Sequence, residues 1–127
     1  MTGPPPMRVS AVVLGSTDPR ALAGFYERLL GWAQDQDEPE WVTLRDPAGG
    51  AGLSFQLEPD HVPPVWPQRA GEQQMMMHLD VLVEDLSDAS AHAVAVGARL
   101  VQHQPQEGVL VHLDPAGHPF CLFWPGS

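Results

Sequence analysis

The sequence contains the same order of structural signals twice, and this internal repeat restricts the fold more than any other feature. In the first copy an apolar run at residues 9–14 precedes a helix-cap signal and an amphipathic stretch that ends at Gly31. After a shift of 67 residues the same order returns, with an apolar run at 75–83 and a second stretch that ends at Gly97. Each copy therefore predicts a strand followed by a helix. The predicted N-caps are Asp18, followed by Pro19, and Asp85.

The two copies also continue alike. The tetrapeptide Asp46–Gly49 is repeated at Asp114–Gly117, each time between two short alternating runs, which is typical of a hairpin turn. After the turns, Phe55–Leu57 matches Phe120–Leu122. Each copy thus predicts strand, helix and three further strands. One copy could not cover its own sheet, so we expect the two to pack into a single α+β domain.

The length of 127 residues fits one domain and leaves no room for two unrelated ones. Three prolines at positions 4–6 predict a short disordered arm over residues 1–6, which leaves one domain at 7–127. Within it we place repeat one at about 8–58 and repeat two at about 75–125. The segment 59–74 between them contains four prolines and is predicted to be an extended linker.

Charge and cysteine content exclude several classes of function. The formal net charge is −10, and all six basic residues are arginine. Chemistry that needs a lysine amine is therefore excluded, and nucleic acid and anionic membranes are disfavoured as partners. A single cysteine, Cys121, cannot form an internal disulfide. Since no secretion signal or membrane-spanning run is visible, we expect a cytoplasmic protein.

Four stretches carry a resemblance to a known family: Phe25–Gly31, Val65–Pro67, His78–Val81 and Asp114–Leu122. Together they resemble the vicinal oxygen chelate superfamily, and more narrowly its small glyoxalase-like branch. The resemblance covers about residues 8–125. It implies the glyoxalase/bleomycin resistance/dioxygenase fold, an α+β fold in which two βαβββ repeats form a cup-shaped mixed sheet.

The superfamily does not have one common activity. It includes glyoxalase I, extradiol dioxygenases, epimerases, fosfomycin-inactivating metallothiol transferases and metal-free bleomycin-binding proteins. Two-repeat members commonly pair, so the resemblance also implies a homodimer. The fold alone therefore does not decide what this chain does.

In the metal-dependent members, the resemblance implies, ligands come from the first and last strand of each half. Aligning the two copies places Ala11 and His78 at the first-strand positions, and Gln56 and Cys121 at the last-strand positions. Alanine offers no ligand atom and a neutral amide is a weak ligand, so two good donors remain. An open catalytic site needs at least three protein ligands, so we predict no catalytic metal and no cofactor.

His78 and Asp80 are the candidate catalytic residues. They lie two residues apart in a predicted strand and so share a face, while Met77, Leu79 and Val81 form an apolar stripe on the other. We therefore expect the pair to face the cup. An Asp beside a His can hold its tautomer for general-base work, and a ligand-binding wall could use the same two groups. The sequence leaves both roles open.

Six further residues are candidate ligand contacts. Ser54 and Gln56 share a strand face that looks inward, and a tryptophan at the start of a strand and another in the proline-rich segment are available for stacking. Cys121 alternates with apolar neighbours, as a small core residue also would. The six are Trp41, Ser54, Gln56, Trp66, His112 and Cys121. Of the remaining aromatic residues, we expect Trp124 in the core and Tyr26 at the surface.

Two main hypotheses of function remain. The first is a protein that binds a small, partly aromatic or cationic molecule without a catalytic metal, because tryptophans and negative charge favour such ligands. The second is an enzyme of the same fold: either a lyase or isomerase that uses His78 with Asp80, or a metal-dependent enzyme. An interaction module would be favoured instead if the cup were filled by its own side chains.

Overall fold

A computed structural model describes residues 3–126. Met1 and Thr2 of the predicted arm, and Ser127 at the end of the predicted domain, lie outside the described residues. The chain divides into two compact units, with the boundary between Glu58 and Pro59. The first unit contains β1 (Ala11–Ser16), α1 (Pro19–Leu30), β2 (Ala33–Glu38), β3 (Trp41–Arg45) and β4 (Gly52–Leu57). The second contains β5 (Leu79–Leu82), α2 (Leu86–Ala95), β6 (Arg99–Leu100), β7 (Val109–Leu113) and β8 (Pro119–Phe123).

Each unit forms a four-stranded mixed sheet of the same topology. The strand order is β1-β4-β3-β2 in the first unit and β5-β8-β7-β6 in the second. The first and last strands of each unit pair in parallel, and the remaining neighbours are antiparallel. A parallel pair needs a long crossover connection, and the helix of each unit lies in that connection. The predicted α+β fold of two βαβββ repeats is therefore confirmed.

The helix signals read from the sequence act as predicted in the first unit. The Asp18 carboxylate accepts a hydrogen bond from the N–H of Ala21 at 3.1 Å, and Pro19 is the first helical residue. Gly31 ends α1 in the left-handed conformation at φ 72°. Neither α1 nor α2, the helices formed by residues 3–126, is long and apolar enough to cross a membrane.

In the second unit the Asp85 carboxylate caps α2 by accepting from the N–H of Asp88 at 2.9 Å. The helix ends at Ala95, and Gly97 follows at φ 126°. Both hairpin turns are also built alike. In each, the aspartate side chain accepts from the N–H two residues later, and the final glycine has a positive φ. Since all these bonds are local, the repeated sequence signals produce repeated local structures.

The core of the first unit lies between α1 and its sheet. Leu22 and Phe25 of α1 are buried with Val42 and Phe55 of the strands. Tyr26 is buried too, and its ring stacks on that of Phe55 at a centroid distance of 5.6 Å. The expectation that Tyr26 lies at the surface is therefore wrong. Its position on the apolar face of α1 outweighs its hydroxyl group.

The core of the second unit lies between α2 and its sheet, and Ala93, Phe120 and Leu122 are buried there. His112 belongs to this core as well and stacks on Phe120 at 5.4 Å. Trp124, expected in the core, is exposed. It follows the last residue of β8, so the alternation that would have buried it ends one residue earlier.

The first strand of each unit is displaced from its prediction. The strand expected at 9–14 is β1, and Val9 is exposed before it begins. The strand expected at 75–83 is shortened to β5, which leaves His78 just before the strand and Met77 exposed. Leu79 pairs with Phe120, so the next partner back along β8 is Pro119. A proline has no N–H to donate to the ladder, which limits the strand at this end.

The segment 59–74 is held by the second unit rather than being a free linker. His61 Nε2 lies 2.9 Å from the carbonyl oxygen of Ala116, and the indole N–H of Trp66 donates to the carbonyl of His103 at 3.1 Å. Pro63 lies so close to Gly117 that a Cβ atom added to Gly117 would lie 2.7 Å from the Cβ atom of Pro63. The segment is therefore bonded to two loops of the second unit.

Candidate functional site

His78, Asp80 and Cys121 meet on the face of the second sheet that α2 does not cover. His112 hydrogen-bonds to α2 and pairs with Phe120 in the ladder, so Phe120 faces the helix. Because side chains alternate along a strand, Cys121 points to the opposite face. Asp80 is its partner in the parallel ladder. We call this side of each sheet its helix-free face.

Asp80 joins the three side chains. Its Oδ1 lies 3.0 Å from Nε2 of His78, and its carboxylate accepts a hydrogen bond from the Cys121 thiol. The side chains of His78 and Asp80 are 38% and 59% exposed, so a ligand can reach them. The candidate ligand atoms of all three residues lie within 4.8 Å of one another. The two residues predicted as catalytic are thus together, and Cys121 lies with them.

Burial raises the pKa of the Cys121 thiol to about 11, and the negative charge and hydrogen bond of Asp80 act in the same direction. The thiol therefore stays protonated at neutral pH and is a poor nucleophile. His78 is the residue suited to accept a proton, and the adjacent carboxylate can fix its tautomer or stabilise its charged form. Because the carboxylate only accepts hydrogen bonds, Nε2 donates to Asp80, so the arrangement can bind a cation or hydrogen-bond donor, or move a proton at His78 Nδ1.

The three residues also fit a zinc ion in number and type. Catalytic zinc sites use three protein ligands drawn from imidazole, carboxylate and thiolate, and leave one position open. The family positions alone predict two good donors, because Asp80 enters there only as a partner of His78. The ladder that pairs Asp80 with Cys121 supplies the third. The thiol would release its proton on binding.

The first sheet has no such set at the equivalent positions. The two sheets align through the buried phenylalanine of their last strands, Phe55 and Phe120. On this alignment the equivalent of His78 is Val13, and the predicted Ala11 is wrong by two residues. From the ladder partner of the buried phenylalanine to the helix cap, the second unit (Leu79 to Asp85) is two residues longer than the first (Leu14 to Asp18), so an alignment through the caps is shifted by two residues. The equivalents of Asp80 and Cys121 are Gly15 and Gln56.

A groove of about 700 Å³ lies on the helix-free face of the first sheet. Two predicted ligand contacts, Trp41 and Ser54, line it together with Thr43. Thr43 pairs with Ser54 in the ladder, which places their side chains next to each other. The indole N–H of Trp41 donates to Gln36 Oε1 at 3.2 Å. The groove therefore combines an aromatic ring with hydroxyl groups.

Gln56 pairs with Trp41 in the ladder but is exposed, and its amide donates to the Glu58 carboxylate. Trp66 belongs to the other unit, where its N–H is bonded to the backbone at His103. His112 has no exposed surface and both ring nitrogens are hydrogen-bonded within the chain, so the ring offers no open surface for the predicted contact with a ligand. It occupies the position of Val42 in the first sheet, where a core side chain is required.

The serine that partners His112 was not among the predicted site residues. Ser90 Oγ lies 2.9 Å from His112 Nε2, and both residues are buried. A signal was present, because Ser90 lies between Ala89 and Ala93 on the predicted apolar side of α2. A lone serine on such a face indicates a buried polar partner across the interface.

Solved structures similar to this chain support the fold. A glyoxalase/bleomycin resistance protein/dioxygenase family enzyme from Burkholderia phytofirmans PsJN is 18% identical, with a TM-score of 0.70 over 93% of this chain and 98% of that one. A glyoxalase-related enzyme from Fulvimarina pelagi is 23% identical, with a TM-score of 0.67 over 92% and 87%. Lactoylglutathione lyase from Agrobacterium tumefaciens is 14% identical, with a TM-score of 0.64 over 96% of each chain.

At these identities the likeness shows the fold alone. A search of curated proteins finds no significant match. The family model described as Glyoxalase-like domain matches residues 11–123, which is most of the chain. The predicted membership of the vicinal oxygen chelate superfamily is confirmed, and the chain belongs to the Glyoxalase-like domain family.

Proposed function

We propose that the chain binds a small, partly aromatic molecule in the groove on the helix-free face of the first sheet. The observation that carries this proposal is the Ser54 hydroxyl. Ser54 is only 4% exposed, and its hydroxyl has no hydrogen-bond partner among residues 3–126. Within that range no fully enclosed polar side-chain atom lacks a partner, so the hydroxyl opens into the groove that Ser54 lines. A ligand's polar group would satisfy it.

Trp41 supports an aromatic ligand. Its ring lines the groove and is half-buried, and its N–H is already bonded to Gln36. A ring held in this way loses little freedom when a second ring stacks on it. Stacked aromatic pairs contribute about 0.5–1.5 kcal/mol beyond the area that they bury.

The charges favour a neutral or cationic ligand over an anionic one. Two arginines and two aspartates line the groove, and one of each, Arg45 and Asp35, form an ion pair at 2.7 Å. The local charges therefore nearly cancel. The chain as a whole carries a net charge of −10, which attracts cations at low ionic strength.

The proposal can be tested with three probes that share one ring and differ in charge: tryptamine, indole and indole-3-acetate. We expect saturable changes in the backbone amide NMR signals of Trp41, Thr43 and Ser54 on titration. The affinity should decrease from tryptamine to indole to indole-3-acetate. Ser54→Ala should weaken tryptamine binding about two- to tenfold, the value of one hydrogen bond.

The exposed serine Ser87 of the second unit provides the matched control, since Ser87→Ala removes a hydroxyl outside this groove. It should leave the affinity unchanged. Signal changes that do not saturate, or that are the same in Ser54→Ala, would contradict the proposal.

A second candidate function rests on the three donors of the second sheet. A metal-dependent enzyme could hold zinc through His78, Asp80 and Cys121, whose ligand atoms lie within 4.8 Å of one another. A zinc ion with an open position polarises a carbonyl group or lowers the pKa of a bound water molecule. In that case Asp80 would hold the metal rather than orient His78.

Zinc titration by calorimetry tests this second candidate. One equivalent should bind, with release of the thiol proton, so the apparent affinity should increase with pH. Asp80→Asn and Cys121→Ser should each abolish binding, whereas Asp88→Asn on α2 should not. A wild-type protein that takes up no zinc, or an Asp80→Asn variant that binds it as well as the wild type, would exclude this candidate.

A further inference from the structure

Ser90 and His112 form a polar pair on the helix-facing side of the second sheet, away from the residues described above. Ser90 Oγ lies 2.9 Å from His112 Nε2, and His112 Nδ1 lies 3.1 Å from the carbonyl oxygen of Leu110. A carbonyl oxygen only accepts hydrogen bonds, so Nδ1 carries the ring proton. The lone pair of Nε2 therefore accepts the Ser90 hydroxyl proton, which is the arrangement of a nucleophile beside its base.

The imidazole is in the form that a base requires. His112 is completely buried, and this burial lowers its pKa below the ordinary value of 6.5 although the bond to Leu110 opposes the shift. At neutral pH the ring is uncharged. Its backbone bond fixes both the tautomer and the orientation, the role that a carboxylate has in a serine triad.

Ser90, unlike His112, reaches a surface groove. It is 8% exposed and lines a groove of about 810 Å³ between α2, β6 and β7. Most of the other lining residues are apolar: Leu86, Ala91, Val94, Ala95, Leu100 and Leu110. Val94 and Leu100 are large apolar residues that are left exposed there. The serine thus lies on the wall of an apolar groove, with its base enclosed behind it.

We propose that Ser90 is a nucleophile for acyl transfer from esters of short aliphatic acids, with His112 as its general base. The proposal is independent of the ligand-binding groove of the first unit. The Ser90 hydroxyl beside a base that a carbonyl group orients indicates acyl transfer. The apolar lining of the groove favours an uncharged aliphatic acyl group. No charged side chain lines the groove among the described residues, so an ionised substrate is not favoured.

The reaction has two balanced steps. Ser90 Oγ forms a bond to the ester carbonyl carbon while its proton passes to His112 Nε2, and the alcohol then leaves with that proton. Water next attacks the acyl-serine and gives a proton to Nε2. The acid departs as Ser90 regains its proton from the same nitrogen. Because these residues supply a nucleophile and a base, the expected rate enhancement is that of a general-base step, about 10²–10⁴.

An alkyl fluorophosphonate probe tests the assignment directly, because phosphonylation replaces fluoride only at an activated serine. Peptide mass spectrometry of the intact chain should find the adduct on Ser90. Ser87 is the internal control, since it lines the same groove one turn away and no histidine is bonded to its hydroxyl in the described chain. The labelling rate should remain constant down to about pH 6.5 and decrease below it, as His112 becomes protonated.

Hydrolysis of p-nitrophenyl butyrate gives the second readout. Ser90→Ala should reduce the rate about 10²-fold or more, to that of buffer, whereas Thr17→Ala, which removes an exposed hydroxyl of the first unit, should leave it unchanged. Butyrate should be preferred over acetate about tenfold in kcat/KM, since the groove buries two more methylene groups. If Ser90→Ala fails to fold, the position of the phosphonyl adduct in the wild type decides whether Ser90 is the nucleophile. Labelling of Ser90 no greater than of Ser87, or full activity in a folded Ser90→Ala variant, would overturn the proposal.

Discussion

The helix-free faces of the two sheets use the same strand positions for different chemistry. The second sheet carries an imidazole, a carboxylate and a thiol at His78, Asp80 and Cys121, and the first carries Val13, Gly15 and Gln56 there. The phenylalanines that anchor both last strands are equally buried. The helix-facing positions therefore maintain the fold of a unit, whereas its helix-free face can change without loss of that fold.

The helix-facing sides of the two sheets differ at the position of His112. Val42 of the first sheet is replaced by His112 in the second, and both are completely buried. The polar side chain is accommodated because α2 supplies Ser90 as a partner. The proposed nucleophile depends on this difference, because Ser90 is activated only where a buried polar pair replaces an apolar one.

The largest expected effect tests whether the two units are equivalent. Phe55→Ala and Phe120→Ala should each lower the free energy of unfolding by about 3–5 kcal/mol, because each removes a fully buried ring. Urea denaturation followed by circular dichroism measures both losses. If one variant loses less than about 1 kcal/mol, the phenylalanines do not have the same role and the alignment through them is wrong.

A smaller effect should follow from converting the second core to the apolar type of the first. Ser90→Ala leaves His112 Nε2 buried without its partner and should cost about 1–3 kcal/mol. The double variant Ser90→Ala/His112→Val, which copies the valine of the first sheet, should recover most of that loss. A double variant less stable than the single one would mean that the pair stabilises the core beyond its own hydrogen bond.

The same pair predicts a dependence on pH that the first core lacks. Burial lowers the pKa of His112 in the folded state, so the unfolded chain binds the proton more readily. The stability contributed by neutral His112 is complete above pH 6.5, and it decreases as the pH falls through the folded-state pKa. Unfolding free energies at pH 7.5 and at pH 5 should differ more for the wild type than for the double variant. Equal differences would show that other groups cause the acid sensitivity.

The smallest effect concerns the helix-free face of the second sheet. Asp80→Asn removes a negative charge beside Cys121 and should move the pKa of the thiol down from about 11. The pKa should stay above the ordinary value of 9.0, because burial is the largest cause of the shift. The rate of alkylation by iodoacetamide as a function of pH reports this change. Asp60→Asn, in the same unit, is the control. An unchanged pH profile in Asp80→Asn would show that the Asp80 carboxylate does not raise the pKa of the thiol.

Local signals explain why so much of the fold was predictable. A cap such as Asp18 or a turn residue such as Asp46 bonds to groups within a few residues of itself, so the sequence alone contains the whole interaction. The second copy of the repeat then supported each local prediction made from the first. This is why the element order and the α+β fold were predicted correctly from composition and spacing.

The site was less predictable because its contacts join distant parts of the chain. Asp80 and Cys121 are neighbours only through the register of a parallel ladder, and that register depends on the core. The same dependence explains the two-residue error at Ala11. The burial of His112 was also hidden, because it required knowing that Ser90 lies across the helix–sheet interface.

The attachment of segment 59–74 has a consequence for how this chain can vary. A tether between two repeats is normally tolerant of insertions and deletions, because the entropy of a loop changes slowly with its length. Here Pro63 lies against Gly117, and Trp66 is bonded to the backbone at His103. A residue added or removed between these two anchors would shift one of them out of register. The segment is therefore a structural strap of the second repeat, and its length is as constrained as that of a strand.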